Sequence, residues 1–135
     1  MSFGPFDQRP LPPAFEPARA MRTHEELVDV ALPGDFRALL GAAAGNSSYL
    51  ARLMLRERAF LPELARRDPD DVLAQLIKEA LGAAESPDQE SAMRRLRAAK
   101  RKVALTIALA DIAGTFDLAR VTEALSRFEI GRAHV

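Results

Sequence analysis

The chain has 135 residues, a formal net charge of zero and no cysteine. This length fits one core, and 48% apolar with 28% charged residues excludes a chain that is disordered throughout. The missing cysteines exclude disulfide scaffolds, thiolate zinc sites and thiol nucleophiles. The two histidines, His24 and His134, are too few and too peripheral for a zinc cluster, and balanced charge argues against a protein that coats nucleic acid.

In chain order, residues 1–22 read as an extended lead, because Pro5, Pro10, Pro12, Pro13 and Pro17 remove donors and disfavour helix at the residues before them. The lead lacks the apolar segment of a signal peptide. Thr23 with Glu26 forms a capping-box pattern that predicts a short helix to Val30, stopped by Pro33-Gly34. Asp35 opens Phe36–Ala43, and Gly45-Asn46 ends it. Ser47 or Asn46 caps a helix to Arg56, with Tyr49, Leu50, Leu53 and Met54 on one stripe. Phe60–Arg66 is a further turn or two.

Asp68-Pro69-Asp70-Asp71 combines a cap, proline in the first turn and acids at the positive end of the helix dipole. It opens a helix with Val72, Leu73, Leu76, Ile77, Ala80 and Leu81 inward, ended by Gly82. Ser86-Pro87-Asp88-Gln89 repeats that pattern and opens the longest helix, Pro87–Ala113. Thr115 or Asp117 caps a last helix, Leu118–Phe128, with Leu118, Val121, Leu125 and Phe128 expected inward. No stretch shows sustained strand alternation. The expected fold is all-α, an irregular bundle of about five to seven helices behind a proline-rich lead. Residues 23–128 form the helical region.

The longest helix changes character midway. Arg94, Arg95, Arg97, Lys100, Arg101 and Lys102 fill its first half, whereas Val103–Ala113 is almost wholly apolar. The basic half is read first as a solvated face. Its sharper reading is an inter-domain or partner contact through Arg94, Arg95, Arg97 and Arg101. A nucleotide or RNA reading of the same patch lacks the aromatic residues that such binding uses. Asp111, in the apolar half, needs a partner, and Arg120 on the next helix is the expected mate in a structural ion pair. Gly41–Ser48 lacks the Gly-Lys-Ser/Thr ending of a phosphate loop and reads as one helix leaving and another entering. Asp68, Asp70 and Asp71 are explained by helix opening and are not a calcium loop. No catalytic, cofactor-binding or metal-binding residue is assigned. The most apolar run, Val103–Gly114, is too short to span a bilayer. A cytoplasmic chain with no membrane partner and no nucleic-acid partner is expected.

Two blocks carry a family resemblance. The first is Gly45-Asn46-Ser47-Ser48-Tyr49-Leu50-Ala51-Arg52-Leu53 with Arg56-Glu57 and Phe60-Leu61-Pro62-Glu63-Leu64. The second is Leu96–Leu105, Ile107–Ile112 and Leu118–Ser126. Together they resemble bacterial glutamine synthetase adenylyltransferase, the bifunctional enzyme that attaches AMP to glutamine synthetase and removes it. The resemblance runs from about Asp35 to Phe128. It implies an N-terminal helical segment ahead of the first nucleotidyltransferase-like domain. For the parent enzyme it implies ATP and Mg²⁺ as cofactors, and glutamine synthetase and the regulatory PII protein as partners. The family's Ser-Asp-x-Asp metal site has no match here, so the segment alone is expected to be inactive, with its catalytic domain missing downstream. Thr106 and Ala110 stand where many relatives are basic.

The heptapeptide Glu129–Val135 matches the in-frame translation of a sequencing-adapter read, GAG ATC GGA AGA GCA CAC GTC, and residues 129–135 are expected to be a non-native tail. A piece of a larger enzyme should expose apolar surface on the Leu118–Phe128 helix. The alternative is a stand-alone helical interaction module that offers Arg94–Lys102 to an acidic partner.

Overall fold

The computed structural model describes residues 10–133, with side chains through residue 127. Among these residues the chain forms seven helices and no strand: α1 (Pro17–Glu26), α2 (Gly34–Asn46), α3 (Ser48–Arg56), α4 (Leu61–Arg66), α5 (Pro69–Ala83), α6 (Gln89–Ala113) and α7 (Leu118–Ala133). The all-α bundle is thus as the sequence predicts.

Most boundaries follow local chemistry. The Ser47 hydroxyl accepts from the Leu50 amide at 3.1 Å, Asp68 accepts from the Asp70 amide at 2.9 Å, and Asp88 accepts from the Glu90 amide at 3.2 Å. Asp117 opens α7 by accepting from the Arg120 amide at 2.8 Å. Each bond satisfies a donor that the first turn of a helix leaves unpaired. Gly114 ends α6 in the left-handed region, φ 78°, where a β-carbon would be strained. That turn sends Phe116 back into the core, 1% exposed.

The first helix departs from expectation. It starts at Pro17 rather than Thr23, so the extended lead stops at residue 16 among the described residues. Thr23 lies inside α1 and is buried, and its hydroxyl donates to the Arg19 carbonyl at 2.8 Å instead of capping. Proline in the first turn costs no hydrogen bond, because that turn has no intrahelical acceptor for it. The helix then lies across the small-residue face of α2. A β-carbon on Gly45 would stand 2.3 Å from the Ala14 Cβ, and one on Gly41 would stand 2.6 Å from the His24 Nε2. His24 is therefore half-buried in the last turn of α1, over Gly41, and not on a free surface.

Side chains close the loose helix ends in this region. Arg19 donates to the Ala44 carbonyl at 2.7 Å and the Gly45 carbonyl at 3.2 Å, the last carbonyls of α2. Arg37 does the same for the end of α1, donating to the carbonyls of Leu27 and Val30. Asn46 accepts from the Phe15 amide at 3.2 Å and donates to the Pro13 carbonyl at 3.0 Å and the Ala42 carbonyl at 2.9 Å. It thereby ties the incoming chain to the α2–α3 corner.

The core runs along α6. Its second half buries Val103, Leu105, Ile107, Leu109, Ala110 and Ala113 against Phe36, Leu39, Leu40, Met54, Leu61, Leu64, Leu73 and Leu76. Helix α5 packs along α6 most extensively, α1–α3 form a second layer, and α7 rests on α5 and the end of α6. Thr106 is fully buried but satisfied, its hydroxyl donating to the Lys102 carbonyl at 2.7 Å.

Four inward assignments fail. Leu81, near the end of α5, is 39% exposed, and Leu118 is 81% and Leu125 48% exposed; among the described side chains of α7 the buried one is Ala124. Tyr49, expected on the apolar stripe of α3, is 54% exposed. The Phe128 side chain and residues His134 and Val135 lie outside the described set. Helix α7 continues to Ala133, so the helical pattern is not lost at Glu129.

Candidate partner-binding surfaces

The basic half of α6 lies where the sequence places it, but its arginines do different things. Arg97 is exposed. Arg94 is exposed and meets Glu90 one turn earlier at 3.7 Å, a pair worth only a few tenths of a kcal/mol on an open helix face (~0.3–0.5). Arg95 lies across the end of α5, 3.9 Å from where a β-carbon on Gly82 would stand, in a groove with Glu79 and Lys102. Arg101 turns inward and donates from Nε to Glu57 at 2.8 Å, with the carboxylate side chain only 9% exposed. This pair joins the turn after α3 to the middle of α6. Lys102 sits 5.5 Å over the Phe60 ring beside it.

Glu57 escapes a reading from motifs alone. Its position carries the signal nonetheless, since Leu50, Leu53, Met54 and Glu57 fall at helical spacing on one buried face. Burial of a carboxylate there is tolerable because α6 presents Arg101 opposite.

Arg120 is paired with Asp70, a partner that its sequence neighbourhood does not single out. It donates from Nε to Asp70 Oδ1 at 2.7 Å, and its terminal nitrogen reaches the same oxygen. Glu123 lies 3.7 Å from Nη1, and the guanidinium carbon is 4.8 Å from the Phe116 ring centroid. Asp111 is exposed on α6, at three- and four-residue steps from Ala108 and Ala104, which are half-buried against the margin of the core. An apolar neighbourhood in sequence therefore does not mean burial. The packing of α7 on α5 brings Asp70 to Arg120, a juxtaposition 50 residues apart in sequence.

Helix α7 carries one part of the exposed apolar surface, with Phe15, Met21 and Val28 exposed around α1. Leu118, Thr122 and Leu125 follow one another at turn spacing and are all exposed, while Val121 and Ala124 face the bundle.

The same geometry tests the cofactors implied by the resemblance. Among the described residues no group of three or more His, Cys, Asp or Glu side chains converges on a point that could hold a metal ion. In the acidic run at the start of α5, Asp68 caps the helix and Asp70 is bound to Arg120. These residues do not fit a Mg²⁺–nucleotide centre, and no chemical step is derived through one. Among the described residues no helix is long and apolar enough to cross a membrane.

Comparison with known proteins supplies the wider frame. The family described as glutamate-ammonia ligase adenylyltransferase matches residues 38–130. The bifunctional glutamine synthetase adenylyltransferase/adenylyl-removing enzyme of Caulobacter vibrioides is 36% identical over 126 residues, which is 88% of this chain and 13% of that enzyme. The enzyme of the same description from Bradyrhizobium diazoefficiens is 41% identical over 112 residues, 82% of this chain and 11% of its own length. That of Xanthobacter autotrophicus is 40% identical over 90 residues, 67% of this chain and 9% of its own. The chain thus spans about an eighth or less of these relatives. No solved structure matches it. The family match runs from within α2 to within α7, over both faces just described, and the chain belongs to the glutamate-ammonia ligase adenylyltransferase family.

Proposed function

We propose that the chain is the N-terminal, non-catalytic helical segment of an enzyme that transfers AMP from ATP to glutamine synthetase and removes it by phosphorolysis. In that enzyme Mg²⁺ and ATP are bound by a downstream nucleotidyltransferase-like domain, in the cytoplasm, under control of a PII regulatory protein. This segment packs against that domain and helps to position it. The observation that carries the reading is the exposed stripe of Leu118 and Leu125 on α7, which offers apolar surface at a place where a neighbouring helix could cover it. Arg94, Arg95 and Arg97 add a charged face for the same or a second contact. Residues 129–135 are proposed to be a non-native tail.

The test uses the chain with the Caulobacter vibrioides enzyme from which the matching region has been deleted. The 135-residue chain alone should show neither AMP transfer nor removal. Mixed with the truncated enzyme it should form a stoichiometric complex, and Leu118→Ser with Leu125→Ser should abolish that complex while leaving helix content unchanged. Activity of the chain alone, or a complex indifferent to both leucines, overturns the proposal.

A further inference from the structure

We infer that a cleft between α3 and α6 is a docking site for an extended acidic segment of a second protein. The cleft, about 260 Å³, is lined by Tyr49, Arg52, Leu53, Arg56 and Arg101. It is distinct from both the α7 leucines and the outer basic face of α6, and it does not rest on the reading given to them.

Its charges are unbalanced from within. Arg52 and Arg56 are exposed and stand one turn apart on α3, a like-charge spacing that disfavours the helix. Among the described residues neither has a carboxylate within ion-pair distance, a state they share with Arg95 and Arg97 on α6, but of these four only Arg52 and Arg56 stand together at the mouth of one cleft. Arg101 uses its Nε on Glu57, which fixes the guanidinium plane at the far wall of the cleft. Its charge is offset by that carboxylate, so the unbalanced charge of the cleft rests on Arg52 and Arg56. Leu53, 5% exposed, forms an apolar floor, and Tyr49, 54% exposed, stands at one end.

The spacing chooses among anionic ligands. Arg52 and Arg56 are separated by about 6 Å along the helix axis, from the rise of ~1.5 Å per residue. Side chains on one face of an extended peptide repeat at about 6.6 Å. A Glu-x-Glu segment therefore meets both guanidiniums in register, and an apolar residue two positions earlier meets Tyr49. A compact phosphate or nucleotide would instead need donors that converge on one point. Here the two unpaired arginines, Arg52 and Arg56, follow one another along α3, and the Ser47 hydroxyl already takes the Leu50 amide at the start of that helix.

Tyr49 also supplies the readout. It is the only tyrosine in the chain, and there is no tryptophan, so intrinsic fluorescence excited above the phenylalanine band reports this cleft alone. The 135-residue chain is titrated with the peptide acetyl-Phe-Ser-Glu-Ser-Glu-amide. A saturable change in tyrosine emission, weakened by added salt, is expected. Arg52→Gln with Arg56→Gln should raise the dissociation constant by about tenfold or more. Both residues are exposed, so far-ultraviolet circular dichroism should show an unchanged fold. Arg97→Gln, on the outer face of α6, should leave binding as it was. The peptide acetyl-Phe-Glu-Glu-Ser-Ser-amide, with its acids out of register, should bind several-fold more weakly.

Four results would overturn the inference. One is equal binding by the two peptides. Another is an undiminished response in the double variant. A third is an equal response to inorganic phosphate or to a single-stranded oligonucleotide. The last is a dimer in sedimentation that dissociates in the Arg52→Gln, Arg56→Gln variant, which would make a second copy the occupant.

Discussion

The helices α1–α3 and the helix α7 are built from similar residues but finished differently. In the first region helix ends are closed by side chains from neighbouring helices: Arg19 on the end of α2, Arg37 on the end of α1, and Asn46 on the incoming chain. The incoming chain at Ala14 comes so close to Gly45 that a β-carbon there would clash, and the His24 ring fills the space over Gly41. Among its described side chains, through residue 127, helix α7 shows neither feature. It is anchored near its start by Arg120 on Asp70, buries Ala124, and leaves two leucines in water. A helix end satisfied from outside, and a face filled to van der Waals contact, belong to a finished core. Both regions leave apolar residues outward, Phe15, Met21 and Val28 in the first, so the difference between them lies in how closely each is packed.

That contrast can be broken or sharpened by substitution. The largest effect is expected from Leu40→Ala, since Leu40 is 1% exposed within the core. Unfolding free energy should fall by about 2–5 kcal/mol, read from denaturant midpoints. Gly45→Ala comes next. The added methyl meets Ala14, so a loss of about 1–3 kcal/mol is expected. An unchanged midpoint would show that the segment at Ala14, just before α1, can lift away freely, and the first region would then be no tighter than the second.

Asp70→Asn should cost less, at most about 1 kcal/mol, because the carboxylate is more than half exposed. Its effect should be local: amide exchange in α7 should accelerate while α2 stays protected. Equal acceleration in both would mean that α7 is integral to the cooperative unit. The smallest change belongs to Leu118→Ser with Leu125→Ser. Stability should move by no more than about 0.5 kcal/mol for each, since neither side chain is buried. A large loss would place these leucines in a core contact and remove the reason for expecting a partner there.

Much of the fold was legible because helix chemistry is local. Ser47, Asp68, Asp88, Asp117 and Gly114 sit at boundaries for reasons that need only a few neighbouring residues. The α1 start was misread because Thr23 and Glu26 satisfy the spacing of a capping box, and nothing local reveals that α2 offers a glycine face for a longer helix to cross. The candidate surfaces were less legible still. Arg94, Arg95, Arg97 and Arg101 form one basic run in sequence, yet the bundle sends Arg101 inward to Glu57 and leaves Arg97 in solvent.

Sequence alone thus determined the helical class, most helix starts and stops, the apolar run that becomes the centre of the core, and the family resemblance. Those follow from dihedral preference, capping and periodicity, which act within a turn or two. Tertiary structure decided which charges are paired, which leucines face water, and that Tyr49, Arg52 and Arg56 meet Arg101 across a cleft. Such relations depend on how helices far apart in the chain cross one another. The distance between Asp70 and Arg120, or between Glu57 and Arg101, is fixed by packing of the intervening helices and by nothing in their own neighbourhoods.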